Sequence, residues 1–489
     1  MANPLWAKMP MDQIAAESRD SKLKRSLGPW HLTALGIGCT IGTGIFVLTG
    51  VQAAVHAGPA IVVSFIIAGI GCLFAGLCYA EFASMVPLAG SAYTYSYATL
   101  GEFAAWFIGW DLMLEYGVAA STVAVGWGRY LTSWLEDLGL PALPASLTTA
   151  PLATPDGHHI VASGAILDLP AMFIVALTAF ICYIGIKQSA WFNNIIVIIK
   201  VTIVIAIIGF GCFYIDTHNW VPFIPQNTGT WGDFGWSGIM RASAVIFFAY
   251  VGFDAVSTAA QEAKNPQRDV SFGIMAGLLI CTLLYILMSG VLTGLLPYTQ
   301  LNDAAPVAVA LRAHPQLHWL SHWVIPGALL GLTSVILVLV LGQARIMLAL
   351  SRDGLLPRGL GAVHPRFRTP HVATVITGVF ALGMAGVFPI GVLSELVSIG
   401  TLLAFVMVCI GVLVLRHTRP ELPRPFRLRW PWVTCTLGVL FCGAMMGFLD
   451  GGTWLRLVIW TIIGVTIYYF YGRHHSRLRA GSPVSAAGS

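Results

Sequence analysis

Between Leu35 and Val47 the chain reads LGIGCTIGTGIFV, in which Gly36, Gly38, Gly42 and Gly44, with Thr40 and Thr43, interrupt a run otherwise apolar enough for a lipid bilayer. A membrane helix satisfies its backbone N–H and C=O groups internally, and each glycine weakens a helix by ~1 kcal/mol relative to alanine. Such a segment is tolerated at that depth only where the freed groups face protein, water or a ligand. The stretch therefore reads as an unwound hinge across a substrate site.

The composition around it sets the class. Hydrophobic residues make up 57% of the chain and charged residues 10%, against about 25% charged in soluble domains. That excludes a water-soluble fold. The net charge of +5 is distributed by topology and makes no nucleic-acid surface. Nine cysteines stand singly in apolar segments, with no CxxC pair or metal-ligand spacing, as small core residues do.

Apolar stretches of roughly 20 residues, enough to cross a bilayer, recur twelve times. They lie near His31–Val55, Pro59–Val86, Phe103–Leu135, Ile166–Ile186, Phe192–Ile215, Trp236–Ala260, Phe272–Leu296, Trp323–Ala349, His371–Phe388, Gly391–Leu415, Trp430–Leu449 and Trp454–Tyr471. The expected fold class is an all-α polytopic membrane protein. Residues 1–30 form a polar segment without the pattern of a signal peptide. Lys and Arg gather in that segment, at Lys187, Lys264–Arg268, Arg345–Arg368 and Arg416–Arg429, and in the tail 472–489, whereas 137–164 and 216–235 hold none. Cytoplasmic loops retain positive charge. Both termini are expected in the cytoplasm, with the tail disordered from Ala480.

Arg129, Arg241, Arg312 and Arg456 fall where they can sit near the outer surface. Lys200 cannot, because it lies inside IIVIIKVTIVIAII and a charge at that depth demands a partner or a water-lined cavity. A second interruption occurs in the sixth stretch, FFAYVGFDAVS from Phe247 to Ser257, where Gly252 and Asp254 stand mid-span. Close helix packing explains one glycine-rich span. Weakened helices at corresponding positions of two halves mark a transporter binding site.

Four segments in order carry a family likeness: GIGCTIGTGIF at Gly36–Phe46, PLAGSAYTYSY at Pro87–Tyr97, FFAYVGFDAVSTAAQEAKNPQRD at Phe247–Asp269, and SRDGLLP at Ser351–Pro357 followed by VHPRFRTP at Val363–Pro370. The chain resembles amino-acid permeases of the amino acid–polyamine–organocation superfamily, and within it the bacterial relatives of the cationic amino-acid transporters, from about Leu27 to Tyr471. The resemblance implies a LeuT-like 5+5 inverted repeat, 31–215 and 236–415, with discontinuous helices 1 and 6 and peripheral spans over 430–471.

At the first break, the N–H groups of Gly42, Thr43 and Gly44 open a restarted helix whose positive end suits a substrate carboxylate. The carbonyls of Thr40, Phe248, Ala249 and Val251 suit its ammonium, and matching positions bind substrate this way in related permeases. Phe248 is placed to cover the substrate. The side-chain pocket is expected at Glu115, Ala119, Phe248 and Gly252. Asp111 and Glu115 share a helical face. Glu115 suits a cationic side chain, a matching glutamate occurring in the cationic branch, or else is a structural carboxylate in a carrier for alanine-like substrates; the small residues near it tilt the reading towards cationic or broad specificity.

The resemblance sets Lys200 where proton-coupled relatives carry a lysine in place of a sodium ion. Its ammonium can pair with carbonyls released at the first break, and desolvation disfavours the charged form of an amine. A coupling role with protons follows. Sodium is the competing ion, with Thr333 and Ser334 as hydroxyls of the kind sodium sites use, but a cation at Lys200 repels it.

No cofactor or metal is implied. Gly36–Gly44 lacks the Lys-Ser or Lys-Thr of a phosphate loop. His314, His318 and His322 are interrupted by Pro315 and interleaved with Trp319 and Trp323, as in an interfacial belt. A repeated selectivity filter, the mark of a channel, and a clustered nucleophile and base, the mark of an enzyme, are both missing from the sequence. The expected partners are an amino acid, a proton, the lipid bilayer of the cell inner membrane, and a small membrane protein of unknown identity.

Overall fold

Buried in lipid, a backbone must find its hydrogen bonds within its own segment, and helices account for nearly all regular structure in the computed structural model. It describes residues 27–85, 91–154, 159–185, 190–303 and 305–477. Most of the N-terminal segment, residues 87–90 of the PLAGSAYTYSY motif, Lys187 and the tail beyond 477 lie outside the described residues.

In chain order the main helices are α1 (Pro29–Thr40), α2 (Ile61–Met85), α3 (Ser91–Thr99), α4 (Glu102–Asp137), α5 (Leu169–Ile184), α6 (Ala190–Gly211) and α7 (Gly235–Ile246). They continue with α8 (Pro266–Leu295), α9 (His318–Arg352), α10 (His371–Val387), α11 (Ile390–Thr418), α12 (Pro431–Gly447) and α13 (Gly451–Ile467). Among the described residues, seven stretches are long and apolar enough to cross a membrane: Gly44–Met85, Asn193–Tyr214, Gly235–Ser257, Pro266–Leu295, Pro315–Arg352, Ile390–Thr418 and Gly451–His475. Shorter apolar helices are α5, α10 and α12. Helix α4, 36 residues long, carries Glu102, Asp111, Glu115 and Arg129 among its apolar residues.

Helix α4 is buried along almost its whole length from Glu102 to Tyr130, and α9 lies along it as the most extensive pairing in the molecule. The pair forms a central post. Helix α2 packs along α8, while α1 packs on α8 and α6. At the far edge, indole N–H groups clamp α13 to α4: Trp106 Nε1 donates to Gly464 O at 2.9 Å and Trp110 Nε1 to Trp460 O at 2.8 Å. The Trp110 and Trp460 rings stack 4.5 Å apart.

Between helices the chain makes small structures that the apolar pattern does not announce. They include α3, the helix Pro306–Arg312 and a two-residue antiparallel pairing of Leu152–Ala153 with Val161–Ala162. Residues on either side of the two interrupted spans also join: Leu27 N donates to Glu262 O at 3.0 Å and Lys264 N to Leu27 O at 2.8 Å.

Two expectations change in three dimensions. The cysteines are not all solitary, since Cys78 on α2 and Cys435 on α12 bring their Sγ atoms within 3.5 Å. Arg241 is drawn inside, because Asp450 takes it in a bidentate pair at 2.6 and 2.7 Å and Glu395 accepts from Nη2 at 2.9 Å. A guanidinium with two carboxylate partners can be removed from water.

Candidate functional site

Helix α1 stops at Thr40, where Ile41 turns extended (φ −73°, ψ 99°), and helical structure resumes with Gly44–Leu48 as a wider π turn. The sixth stretch breaks similarly. Helix α7 ends at Ile246, a tight 3-10 turn follows over Phe247–Tyr250, Val251 is extended, and a single helical turn returns at Ala255–Thr258. Gly252 has φ +111°, a conformation that L side chains rarely adopt, and a Cβ there would stand 2.9 Å from the Cys39 Cβ. The two breaks touch: a Cβ on Gly44 would lie 2.5 Å from the Ala249 Cα.

The released carbonyls can be followed one by one. Ile37 O accepts from Ile41 N at 2.8 Å. Gly38 O and Ile41 O accept from Lys200 Nζ at 2.8 and 3.2 Å. Thr40 O accepts from the Tyr285 hydroxyl at 2.8 Å, as does Ala249 O at the same distance. Phe248 O accepts from Val251 N at 3.0 Å within its own turn. The Phe248 N–H donates to Ser398 Oγ at 3.1 Å, and Ser398 in turn donates to Val245 O at 3.0 Å, which fixes the turn against α11.

On the other side of the first break, the opening N–H groups of the restarted helix have no carbonyl four residues back in helical register. A cavity lies there, lined by Cys39, Thr40, Gly42, Thr43, Gly44, Ala119, Val123, Phe248, Val251, Val335 and Leu339. Its free space, about 10 Å³, is room for a single water. Thr40 Oγ1, buried beside it, has no hydrogen-bond partner among the described residues. Apart from the threonines and the backbone, the walls are apolar: Ala119 and Val123 from α4, Val335 and Leu339 from α9.

Of the residues proposed for the site, Thr40, Gly42, Thr43, Gly44, Ala119, Phe248 and Val251 line this cavity. Ala249 stands directly behind Gly44, and Gly252 behind Cys39. Glu115 is not among the lining residues of this small cavity. It is buried with the carboxyl groups of Asp111 and Asp254 as neighbours and Thr401 beside it, while Asp254 accepts from the Tyr116 hydroxyl at 2.6 Å. Asp111 and Glu115 share one face of α4 with Ala119 and Val123. Ala119 and Val123 reach the cavity, whereas Asp111 lies against α11, where a Cβ on Gly400 would stand 3.1 Å from its Oδ1, and Glu115 stands one turn before Ala119.

Thr333 and Ser334 spend their hydroxyl protons on their own helix, donating to Leu329 O and Gly331 O at 2.8 Å each. Lys200 reaches the break by lying across Gly331, where a Cβ would meet its Cε at 2.8 Å. His318 and His322 pack edge to face, 5.1 Å apart, at the exposed start of α9.

A larger cavity of about 310 Å³ lies beside the continuation of the first span, at Val47, Val51, Gln52, Val55 and His56. Val47, Gln52, His56, Arg129, Thr154, Asp303, Glu395, Asp450 and Arg456 are among its walls. Sequence reasoning does not reach Tyr285, Ser398 or the Arg241 network. The first two are single hydroxyls in apolar runs, and their only signal is a polar group that must find a partner once buried.

The family model described as amino acid permease matches residues 27–468. The chain is 46% identical over 472 residues to the branched-chain amino acid permease BcaP of Bacillus subtilis (strain 168), covering 96% of this chain and 98% of that one. It is 45% identical over 474 residues to the methylthioribose transporter of the same organism, covering 97% and 99%. Cationic amino acid transporter 4, vacuolar, of Arabidopsis thaliana is 38% identical over 423 residues, 86% of this chain and 68% of that one. With a helical, apolar chain matched along nearly all its length, this protein belongs to the amino acid permease family of the amino acid–polyamine–organocation superfamily, and is a multi-pass membrane protein and a transporter, not an enzyme.

Proposed function

We propose that the protein is a secondary active carrier for L-amino acids with apolar side chains, working by alternating access and coupled to protons. The observation that carries this reading is the cavity at the paired helix breaks. Backbone N–H groups of Gly42–Gly44 and the carbonyls of Thr40 and Ala249 suit an amino acid's head group, and Ala119, Val123, Val335 and Leu339 suit an aliphatic side chain. With Glu115 outside the cavity walls, the reading moves from cationic or broad substrates to neutral ones. A relative named a branched-chain permease supports it.

In this reading the helices compose twelve spans: two five-span inverted repeats of LeuT type, with α1 and its restarted half, and α7 and its continuation, as the first span of each. Two peripheral spans follow, α12 and α13. The larger cavity faces outward, on the side of the loops poor in Lys and Arg, and the Leu27–Lys264 pairing closes the cytoplasmic side, where both termini lie. Lys200 is the coupling group. Its ammonium holds two carbonyls of the first break, so losing or regaining its proton changes how firmly α1 is tied to α6. A sodium ion has poorer claim to the same carbonyls because the ammonium already occupies them and repels a second cation. The carboxyls of Asp111, Glu115 and Asp254 offer the proton further stations.

Uptake of labelled L-leucine and L-lysine into proteoliposomes, under imposed proton or sodium gradients, tests this reading. Leucine accumulation driven by an inward proton gradient is expected. Lysine uptake exceeding leucine uptake overturns the substrate assignment, and accumulation that follows sodium alone overturns the coupling.

A further inference from the structure

Helix α3 reads SAYTYSYAT, with a tyrosine at every second position. At helical spacing Tyr93 and Tyr97 share one face, and Tyr95 stands on the opposite one. Tyr95 points towards the helix breaks: its ring stacks on Phe82 of α2 at 5.3 Å and meets Tyr79 edge to face at 6.4 Å, and Tyr79 meets Phe253 of the second break at 5.7 Å. Tyr93 and Tyr97 face two carboxylates. The Tyr93 hydroxyl donates to Asp353 Oδ2 at 2.5 Å, and the Tyr97 hydroxyl to Glu102 Oε2 at 3.3 Å.

The chain that follows α13 takes the same two residues from the other side. Tyr468 donates to Glu102 Oε1 at 2.9 Å, the Ser476 hydroxyl donates to Glu102 Oε2, and Arg477 N donates to Asp353 O at 3.1 Å. Glu102 and Ser476 are both buried, so water does not compete for these bonds. The seat is shaped for a backbone. Gly354 has φ +80°, and a Cβ there would run into the His475 carbonyl oxygen, which gives the glycine of the SRDGLLP motif a physical reason. Residues 468–477 thus stitch the turn after α9 to α3, and α3 leans on the spans that carry the breaks.

We propose that residues 468–477 form a strap that keeps the cytoplasmic side shut by fixing α3 through Glu102 and Asp353, and that opening to the cytoplasm requires the strap to let go. The proposal rests on the alternating-access reading given above. A hydrogen bond made only in the shut state biases the equilibrium towards it, and one to a charged group is worth about a factor of ten or more.

The experiment is alkylation of the purified full-length protein by N-ethylmaleimide, followed at single cysteines by peptide mass spectrometry. Cys39 ends α1 beside the small cavity and becomes reachable when the cytoplasmic side opens. Cys182 on α5 and Cys442 on α12 are buried away from that path and report on general loosening. Ser476→Ala, alone and combined with Tyr468→Phe, removes the strap's side-chain donors to Glu102. The double variant is expected to speed Cys39 alkylation about tenfold and leave Cys182 and Cys442 unchanged. Equal acceleration of all three assigns these contacts to overall stability and overturns the proposal. An unchanged Cys39 rate, in protein that accumulates amino acid in proteoliposomes, overturns the strap alone. Wild-type protein that accumulates no amino acid overturns the carrier reading, and the proposal with it.

Discussion

Lys200 on α6 holds the broken end of α1 through Gly38, whose carbonyl accepts from Nζ at 2.8 Å. The second contact, to Ile41 O at 3.2 Å, straddles the point where the helix stops. One charged side chain thus closes off carbonyls that the interruption frees, and it does so from a helix that carries no other charge.

Lys200→Ala leaves two buried carbonyls without that donor, at a cost of about 1–3 kcal/mol each. The variant is expected to lose accumulation of amino acid driven by a proton gradient. Accumulation at the wild-type level in proteoliposomes would refute the coupling role. Lys200→Gln, which can still donate to the carbonyls but carries no exchangeable charge, should restore thermal stability without restoring accumulation.

Close approach of the two breaks depends on Gly44 and Gly252. Gly44→Ala pushes a methyl group into the Ala249 backbone, and Gly252→Ala forces a side chain into a left-handed conformation beside Cys39. Each should reduce substrate binding at least tenfold, with backbone strain of roughly 1–3 kcal/mol at Gly252. Gly42→Ala meets only Val335, at 3.6 Å, and should be the mildest of the three for stability. Melting temperatures and leucine titrations on the three variants check this order.

Arg241 ties α7 to α11 and to Asp450 just before α13, and Thr453 Oγ1 donates to the second oxygen of Glu395 at 2.5 Å. Removing the guanidinium by Arg241→Met leaves two carboxylates facing each other, and a loss of about 3–5 kcal/mol is expected. Thermal unfolding of the detergent-purified variant measures it. Replacing Glu395 with glutamine and Asp450 with asparagine in the same protein should recover a large part of the loss, since the uncompensated charges are gone.

Side-chain selection is expected to follow the volume between α4 and α9. Ala119→Leu adds bulk against Val335 and Leu339, where the cavity has room for a single water, so affinity for leucine should fall more than affinity for alanine. Leu339→Asp should admit lysine at the expense of leucine. Competition against labelled leucine reads both, and an unchanged order of ligands in both variants would place the side-chain pocket elsewhere.

Much of the architecture is written in local pattern. Apolar runs bounded by polar loops identify the helices because lipid leaves the backbone no other partner. Glycine at 42, 44 and 252, amid residues that otherwise continue a helix, announces the breaks, and Lys200 stands out as a charge in an aliphatic run. The loop helices, α3 and Pro306–Arg312, are less visible. They are short, and contacts with the helices beside them stabilise them more than their own periodicity does.

The sequence by itself determined the class of protein, the helices, the two interruptions and the chemistry available at each, because these depend on composition and on neighbours within a few residues. Only the tertiary structure decided which way α4 turns its carboxyl groups, which carbonyls Lys200 meets, and that Tyr285 reaches both breaks at once. Those relations join residues far apart in the chain. They are set by helix rotation and close packing, which no local pattern encodes.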